Sequence, residues 1–228
     1  MSFLKHAALS TLPLFAITLL AVALLSVTEP SAAADQSDSS ETKSLIVAGG
    51  CFWCVESDFD HVKGVVATTS GYAGGKMQNP TYKNHRGHRE VLKIDYDPAK
   101  TDYNTLVTTF LRTIDPIDPR GQFCDRGHSY TTAIHAATDE ERTTAEAALN
   151  AAADQLGKKL AVAIEGPVKF WRAEDYHQNY WQSQTLQLTR FGLVTRATAY
   201  KGYRRDCGRE ARVKKVWGSD AYRGVERH

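Results

Sequence analysis

The stretch Val47-Ala48-Gly49-Gly50-Cys51-Phe52-Trp53-Cys54-Val55-Glu56 decides how the rest of the chain is interpreted. Residues 45–47 are a short apolar run and predict a buried strand, which the two glycines end. Beyond the glycines the apolar residues recur with helical spacing, at Phe52, Val55, Phe59 and Val62. We therefore expect Cys51 at the point where a strand becomes the first turn of a helix.

Cys51 in that position has the surroundings of a nucleophile. The N-terminus of a helix presents unpaired N–H groups and partial positive charge, which favour a thiolate over a thiol. Gly49 and Gly50 let the backbone approach a bound molecule closely, and Phe52 and Trp53 would border an apolar pocket. The alternative is that Cys51 and Trp53 are core residues, because cysteine is often buried and chemically inert. Position alone leaves both interpretations open.

The N-terminal residues have the pattern of an export signal. Lys5 and His6 precede an apolar run over residues 7–27, and a small-residue segment ends at Ala34. We predict a signal peptide over residues 1–34, cleaved after Ala34, and an exported, periplasmic protein. The apolar run is also long enough to persist as a single anchoring helix, so we expect a membrane contact only if this segment is not cleaved. Residues 35–43 are polar and predict a flexible lead-in.

Charge and cysteine content exclude several classes of protein. A formal net charge of +2 over 228 residues argues against a dedicated nucleic-acid partner. Four cysteines are too few for a disulfide scaffold in a chain of this length. We expect one domain with a proper core over residues 44–190, followed by an irregular basic tail over residues 191–228 that carries Cys207.

The chain between these ends alternates strand and helix patterns. We predict strands over residues 65–72, 90–96, 129–137 and 160–165, and helices over residues 103–114, 138–156 and 174–190. The first two of these strands follow one another without a helix between them. This order favours an α+β sandwich with helices on one face of a mixed sheet.

Glu90 begins a strand whose core-facing row continues with Leu92, Ile94 and Tyr96. A carboxyl group in such a row is costly to bury as an anion, so burial would favour its neutral form. A neutral carboxyl is a candidate proton donor. Alternatively, Glu90 lies in water at the frayed end of the strand.

Cys51 and Cys54 form a Cys-x-x-Cys pair, a pattern that several kinds of site share. A thioredoxin-like disulfide oxidoreductase would place such a dithiol at a strand-to-helix turn. A zinc site would need two further ligands, for which His85 and His88 are candidates. A non-enzymatic alternative is an exported zinc or peptide-binding module built on the aromatic surface. The third possibility is one nucleophile with a second cysteine that resolves an oxidised intermediate. Cys124, in a long loop, is a weaker candidate for that second role, or a buried structural thiol.

A set of motifs then follows in a fixed order along the chain. The motifs are Gly50-Cys51-Phe52-Trp53, Ser70-Gly71-Tyr72-Ala73-Gly74-Gly75, Asn79-Pro80-Thr81-Tyr82, Gly87-His88-Arg89-Glu90-Val91, Tyr96-Asp97-Pro98, Gln122-Phe123-Cys124-Asp125-Arg126-Gly127 and Glu174-Asp175-Tyr176-His177-Gln178. In this order they resemble the type A peptide methionine sulfoxide reductases over about residues 45–180. Several motifs together are far more specific than any one of them.

The resemblance implies an enzyme that reduces the S epimer of methionine sulfoxide, in proteins and as the free amino acid, to methionine. It implies a mixed-sheet two-layer α+β sandwich with a ferredoxin-like core. It also implies that no metal or organic cofactor is required and that an external thioredoxin-like dithiol supplies the electrons. For an exported chain we expect a monomer that repairs oxidised exported proteins.

Carried onto this sequence, the resemblance makes Cys51 the nucleophile and Glu90 the acid that protonates the departing oxygen. The remaining substrate-binding side chains would be Tyr82 and Tyr130 on the sulfoxide oxygen, Asp125 on the polar side, and Phe52 and Trp53 around the methyl group. A neutral acid beside a thiolate suits this reaction, because a sulfoxide sulfur is a weak electrophile until its oxygen is protonated.

Cys54 departs from the family pattern, which usually has a small residue at this position. Both Cys54 and Cys207 could therefore resolve a sulfenic acid on Cys51. A bond from Cys51 to Cys54 must close within one helical turn, whereas Cys207 can arrive from a flexible tail with unstrained geometry. We therefore expect Cys207 to be the resolving thiol, with a relay through both cysteines as an alternative.

Overall fold

The computed structural model describes residues 41–226. The predicted signal peptide, residues 1–34, and most of the predicted lead-in lie outside the described residues. The end of the lead-in is ordered, because Lys43 already belongs to the first strand. Among the helices of residues 41–226, none combines the length and the apolar character that a membrane span requires.

Ten strands and five α-helices make up the described part of the chain. The strands are β1 Lys43–Ala48, β2 Val65–Ala73, β3 Arg89–Tyr96, β4 Gly121–Gln122, β5 Asp125–Arg126, β6 Ala133–His135, β7 Ala163–Glu165, β8 Trp171–Arg172, β9 Leu186–Thr189 and β10 Gly192–Thr195. The helices are α1 Phe52–Phe59, α2 Tyr103–Leu111, α3 Asp139–Leu156, α4 Arg196–Asp206 and α5 Arg209–Trp217.

Six of the strands form one sheet in the order β7-β6-β1-β3-β2-β8. The pair β6 and β7 is parallel, and the other neighbours are antiparallel. The α+β class and the mixed sheet predicted from the sequence are thus confirmed. In the sheet Tyr72 of β2 lies opposite Glu90 of β3. The Phe52 amide, at the start of α1, donates to the Glu90 side chain, so this end of the β2–β3 pair lies beside the first turn of α1.

The main hydrophobic core lies where helices pack against alternate residues of the central strands. Leu45 and Val47 face it from β1, and Leu92, Ile94 and Tyr96 face it from β3. Helices α1, α2, α3 and α5 contribute the other side, through Val55, Phe59, Leu106, Phe110, Ala145, Ala148, Val213 and Trp217 among others. The period-two and helical patterns of the sequence therefore correspond to real buried faces.

Side-chain caps fix where helices α2 and α3 begin. Asp102 accepts a hydrogen bond from the Thr105 amide at 2.8 Å and starts α2. Thr138 accepts one from the Glu141 amide at 3.2 Å, while the Glu141 side chain accepts one from the Ala137 amide. Together the two hydrogen bonds cap the start of α3 reciprocally, as in a capping box.

The irregular tail predicted for residues 191–228 is wrong, because this segment completes a hairpin and then forms α4 and α5. Val213 and Trp217, one helical turn apart, are buried in the main core, and the Trp217 indole donates to the Ile114 carbonyl at 3.1 Å. The many arginines made the segment look like solvated surface, yet Arg209 is itself 1% exposed. The domain that begins near residue 44 therefore does not end at residue 190.

The helix predicted over residues 174–190 is also absent, replaced by two short 3-10 turns, Asp175–His177 and Tyr180–Gln182, followed by β9. Asn179 adopts a left-handed backbone conformation with φ 52°, which interrupts an α-helix. The Gln178 side chain bonds the backbone of Ser70 on both its N–H and C=O at 3.0 Å. Aromatic spacing suggested a helix, but these contacts hold the segment against the edge of β2 instead.

Candidate active site

Cys51 is the N-cap residue of α1, at the turn that connects β1 to the helix. Its carbonyl accepts hydrogen bonds from the amides of Cys54 and Val55 at 3.0 and 3.4 Å. Gly50 before it has φ +84°, and a Cβ there would lie 2.6 Å from the Cβ of Gln122. Only glycine fits this turn, and the predicted strand-to-helix position of Cys51 is confirmed.

The thiols of Cys51 and Cys54 are both free and are hydrogen-bonded to each other. The hydrogen bond from Cys51, supported by the charges of Arg209 and Arg204, lowers the pKa of Cys54 to about 7 against the effect of burial. The same hydrogen bond and burial raise the pKa of Cys51. Near neutral pH the two thiols therefore titrate as one unit that holds a single negative charge.

The raised pKa of Cys51 differs from the thiolate that its position at the start of a helix predicts. The first amide of α1, that of Phe52, does not point to Cys51 but donates to Oε2 of Glu90 at 3.0 Å. The first N–H of the helix therefore stabilises the Glu90 carboxyl and not a thiolate on Cys51.

Glu90 is 2% exposed, which excludes the alternative that it lies in water at a frayed strand end. It accepts hydrogen bonds from the Phe52 amide and from the Tyr130 hydroxyl. Burial, helped by the negative charges of Asp125 and Cys54, raises the pKa of Glu90 to about 8. Glu90 is thus a protonated acid at neutral pH, close to the Cys51–Cys54 pair.

One cavity of about 440 Å³ contains all the side chains that the sequence analysis assigned to the site. Those residues are Cys51, Phe52, Trp53, Tyr82, Glu90, Asp125, Tyr130 and Cys207. Burial raises the pKa of Tyr82 and of Tyr130, so both hydroxyls keep their protons and can donate. Burial also raises the pKa of Asp125, an effect that the nearby charge of Arg209 opposes.

The apolar side of the cavity is built around Trp53. Its indole stacks on Tyr180 with ring centroids 3.8 Å apart and planes 9° apart, and its Nε1 donates to Nδ1 of His177 at 3.1 Å. The ring of Phe52 lies 5.0 Å from that of His177, and Tyr82 lies 4.5 Å from it on another side. His177 thereby orients the aromatic side chains that surround the opening.

Glu174 and His177 support the site, although the sequence analysis assigned neither of them a role. The Glu174 carboxylate accepts from the Tyr82 amide at 3.0 Å and from the Tyr72 hydroxyl at 3.1 Å, so it fixes the loop that carries Tyr82. Burial lowers the pKa of His177 to about 4 and keeps it neutral. Both residues belong to a quoted motif, Glu174-Asp175-Tyr176-His177-Gln178, and that motif is the signal that could have identified them.

Cys207 does not face Cys51 as a free thiol, because it forms a disulfide with Cys124. The prediction of a flexible tail around Cys207 is wrong, since the residue ends α4 and is held there by the bond. Cys124 is exposed and bonded, so the buried structural thiol considered for it is wrong too. The thiol adjacent to Cys51 is that of Cys54.

The zinc site that the sequence left open is not assembled. Both ring nitrogens of His88 bond the backbone, with the Gly75 amide at 3.2 Å and the Met77 carbonyl at 2.9 Å. His85 lies against Tyr72, with ring centroids 5.0 Å apart. Within residues 41–226 a cluster of metal-type ligand atoms occurs at Cys124, Asp125 and Cys207, but its two sulfurs are bonded to each other.

Comparison with known sequences gives a consistent set of relatives. The model of the peptide methionine sulfoxide reductase family matches residues 43–208. Peptide methionine sulfoxide reductase MsrA 2 of Rhizobium meliloti (strain 1021) is 47% identical over 189 residues, which cover 82% of this chain and 89% of that protein. The protein of the same name from Caulobacter vibrioides is 40% identical over 203 residues, covering 87% of this chain and 94% of that one.

Solved structures agree with the sequence comparison. Methionine sulfoxide reductase A of Corynebacterium diphtheriae is 29% identical and superimposes with a TM-score of 0.55, over 61% of this chain and 73% of that one. Reduced Mxr1 from Saccharomyces cerevisiae is 28% identical with a TM-score of 0.57, over 63% of this chain and 86% of that one. Helix α5, Arg209–Trp217, begins where the family match ends.

Proposed function

Because the chain belongs to the peptide methionine sulfoxide reductase family and is an oxidoreductase that draws on a thioredoxin-like donor, we propose that it reduces the S epimer of methionine sulfoxide. The substrate would be protein-bound methionine sulfoxide and also the free amino acid. The observation that carries the proposal is the pairing of Cys51 with a buried, protonated acid, Glu90, in one cavity. A nucleophile and an acid are what transfer of a sulfoxide oxygen requires.

The cavity offers a distinct partner to each part of the substrate. The methyl group would lie against Phe52 and Trp53, whose apolar faces are fixed by their neighbours. The sulfoxide oxygen would accept hydrogen bonds from Tyr82 and Tyr130, and Asp125 would orient the polar side. Placing methyl and oxygen on opposite walls would make the site choose between the two sulfoxide epimers, because inverting the sulfur exchanges these groups.

The first half-reaction transfers oxygen from the substrate to the enzyme. Cys51, as a thiolate, attacks the sulfoxide sulfur while Glu90 gives its proton to the oxygen. The sulfur–oxygen bond of the substrate breaks, methionine leaves, and the oxygen stays on Cys51 as a sulfenic acid. The substrate sulfur is reduced by two electrons, the Cys51 sulfur is oxidised by two, and Glu90 ends as a carboxylate.

The second half-reaction returns the enzyme to its reduced form. We propose Cys54, rather than Cys207, as the thiol that condenses with the sulfenic acid, because Cys54 is hydrogen-bonded to Cys51 and Cys207 is bonded to Cys124. The condensation forms a Cys51–Cys54 disulfide and releases water. An external thioredoxin-like dithiol then reduces this disulfide and becomes oxidised itself. Cys207 would act only in a later exchange.

We further propose the cellular role that the N-terminal pattern suggests, namely repair of oxidised exported proteins. Support comes from the charged, apolar and small-residue segments of residues 1–34, which have the order of a signal peptide. The protein would work in the periplasm as a monomer with the two-layer, ferredoxin-like core of its family. N-terminal sequencing of the secreted protein tests this, and an intact residue 1 in the membrane fraction would instead indicate an anchor.

A single turnover without reductant tests the reaction. Reduced protein would receive an excess of S-methionine sulfoxide or of the R epimer, methionine would be counted per chain, and the disulfides would be mapped by peptide mass spectrometry. We expect about one methionine per Cys51–Cys54 dithiol from the S epimer, a new Cys51–Cys54 bond, and no product from Cys51→Ser. A Cys51–Cys207 bond would restore Cys207 as the resolving thiol. No methionine from folded protein with free thiols would contradict the proposal and favour a disulfide oxidoreductase.

A further inference from the structure

Two arginines of the C-terminal helices approach the Cys51–Cys54 turn from inside the protein. Arg209, the first residue of α5, is 1% exposed and donates hydrogen bonds to the carbonyls of Gly49 at 3.4 Å and Thr113 at 3.1 Å. Its guanidinium lies over the ring of Phe123, with Cζ 4.7 Å from the centroid. A buried cation of this kind needs a nearby anion, because removing a charge from water is costly.

Arg204 of α4 contacts the same turn directly. One of its nitrogens donates to the Cys54 carbonyl at 3.2 Å, and another forms an ion pair with Asp58 at 2.8 Å. Its Nε pairs with Glu210, and it also donates to the Tyr200 hydroxyl at 2.8 Å. The guanidinium is thus fixed on several sides with its charge next to Cys54.

Within residues 41–226, Arg209 lacks a carboxylate at close ion-pair distance. Its nearest carboxylate oxygen, Oδ2 of Asp58, lies 3.7 Å away, and Asp58 is already paired with Arg204. Within the part of the chain that the structure describes, neither Arg209 Nε nor Asp58 Oδ2 has a hydrogen-bond partner. Among the described residues, Arg204 has two carboxylate partners, Asp58 and the partly exposed Glu210, whereas Arg209 has only the Asp58 oxygen 3.7 Å away. The space beside Arg209 can therefore hold one more negative charge.

We propose that Arg204 and Arg209 hold Cys54 as a thiolate and that this thiolate accepts the Cys51 proton when Cys51 attacks the substrate. The inference rests on the proposed function and deepens it, because it assigns Cys54 a role as base before its role as resolving thiol. Cys51 gives its proton to Cys54 across the hydrogen bond between them. Cys54 is then the neutral thiol that condenses with the sulfenic acid, so its proton leaves in the water that forms.

The charged and titratable groups that face Cys54 together favour a thiolate at Cys54. They are Cys51 and Asp58 of α1, Glu90 of β3, Tyr200 and Arg204 of α4, and Arg209 of α5. Burial raises the pKa of Tyr200 and of Glu90, so both are neutral near pH 7. The charges of Arg209 and Arg204 lower the pKa of Cys54, second only to its hydrogen bond with Cys51 among the effects that do so.

Two further features tie Arg209 to the site. The Cys124–Cys207 disulfide joins the end of α4 to the loop that carries Phe123 and Asp125. Cys207 lies two residues before Arg209 in the chain. Arg209 also lies one residue beyond the stretch that matches the family model, residues 43–208. The cation is therefore supplied by an element outside the family match, and that element begins two residues after the bonded Cys207.

The experiment measures thiolate formation without any substrate. Protein in the state of the structure, with Cys124–Cys207 joined and Cys51 and Cys54 free, would be titrated by the ultraviolet absorbance of its thiolate. Site-resolved alkylation with iodoacetamide would be followed at both cysteines by peptide mass spectrometry. The variants are Arg209→Gln, Arg204→Gln and Arg209→Lys, with Arg212→Gln as the matched control. Arg212 is also on α5, but its guanidinium pairs with Asp115 instead.

We expect Arg209→Gln and Arg204→Gln each to raise the pH of thiolate formation and to lower the thiolate fraction at neutral pH by about tenfold. Arg209→Lys should recover part of the loss, and Arg212→Gln should match the wild type. If Arg209→Gln does not fold, the double variant Asp58→Asn/Arg209→Gln replaces it, because that variant leaves no unpaired buried charge. Unchanged titration in both Gln variants would overturn the proposal.

The same measurement separates this inference from the proposed function. Wild-type protein that forms methionine while the Gln variants titrate normally would refute the role of the arginines and leave the function standing. Wild-type protein that forms no methionine, with titrations shifted as expected, would refute the reductase activity and support the arginine–thiolate assignment. Cys54→Ser adds a direct check, since it should abolish the low-pH thiolate altogether.

Discussion

The backbone N–H of Phe52 donates to Oε2 of Glu90 at 3.0 Å, which fixes the acid relative to the residue that follows Cys51. One hydrogen bond therefore sets the distance between a strand of the sheet and the first turn of α1. Because the acceptor is a side-chain oxygen that remains available in both protonation states, Glu90 can lose its proton without losing its position. A mutation can therefore remove the acidic proton of Glu90 and keep the hydrogen bond that positions its side chain.

Replacing Glu90 by glutamine should keep the Phe52 contact and remove the proton. We expect the single-turnover rate of methionine formation to fall about a hundredfold or more, because the departing oxygen is no longer protonated. Glu56→Gln is the control, since Glu56 is also a buried acid whose pKa burial raises to about 8, but it does not line the cavity. Equal rates in wild type and Glu90→Gln would show that Glu90 is not the acid.

The rate should depend on pH with a maximum between two ionisations. The dithiol must have lost one proton, which happens as pH rises through about 7, the lowered pKa of Cys54. Glu90 must still hold its proton, which it loses as pH rises through about 8. The single-turnover rate should therefore rise through about 7 and fall through about 8. In Glu90→Gln the falling limb should disappear, and a falling limb that persists would assign it to another group.

Removing the Cys124–Cys207 disulfide should cost stability and not the first turnover. The bond joins residues 83 positions apart, and the double variant Cys124→Ser/Cys207→Ser should lose about 2–4 kcal/mol in free energy of unfolding. Urea unfolding monitored by tryptophan fluorescence measures this loss. Methionine formed per chain in a single turnover should stay at the wild-type value. Peptide mapping after that turnover should find the Cys51–Cys54 bond, and a sulfenic acid left on Cys51 would return Cys207 to the catalytic sequence.

His177→Phe should loosen the aromatic wall while keeping a ring in place. The Trp53 indole would lose its acceptor, at a cost of about 1 kcal/mol, so we expect KM for a sulfoxide-containing peptide to rise about fivefold with a smaller change in kcat. His128→Phe is the control, because His128 is exposed and does not line the cavity. An unchanged KM in His177→Phe would show that Trp53 does not need this hydrogen bond.

Glu56 should make the free energy of unfolding fall as pH rises. Its pKa is about 8 in the folded protein and near 4.5 when unfolded, so the folded state binds more protons between those values. Stability is then lost as pH rises through that window and is constant above it. Glu56→Gln should flatten the decline by on the order of a few kcal/mol. Denaturant unfolding at several pH values measures the slope, and parallel slopes would place the raised pKa elsewhere.

Local patterns predicted the part of the site that depends on neighbours in sequence. The strand-to-helix turn at Cys51 follows from apolar spacing, because helical and period-two patterns record which face is buried. The same spacing offered a buried Glu90 but left its exposure at a frayed strand end as an alternative, which the structure excludes. The helices that end the chain were missed because Arg204 and Arg209 look like surface residues. Their burial depends on Asp58, an anion about 150 residues earlier in the chain.

The disulfide between Cys124 and Cys207 could not be predicted from local patterns either, because it depends on contacts between residues distant in the chain. Nothing in the spacing of Cys124 and Cys207 indicates that α4 ends beside the loop of Asp125. The segment after Glu174 failed differently, since its aromatic spacing fits a helix but Asn179 adopts a backbone conformation that a helix excludes. In each case a contact made in the folded protein overrode a local preference.

Helix α5 also means that the edge of the family match is not an edge of the folded unit. A protein cut after residue 208 would retain every matched position and both cysteine pairs. It would nevertheless lose the Trp217 side chain that closes the core over Ile114, together with the cation behind Cys54. For expression or for transfer of this activity to another host, the usable boundary therefore lies beyond Trp217, where the isolated bridge between Val62 and Val225 ties the end of the chain to the segment after α1.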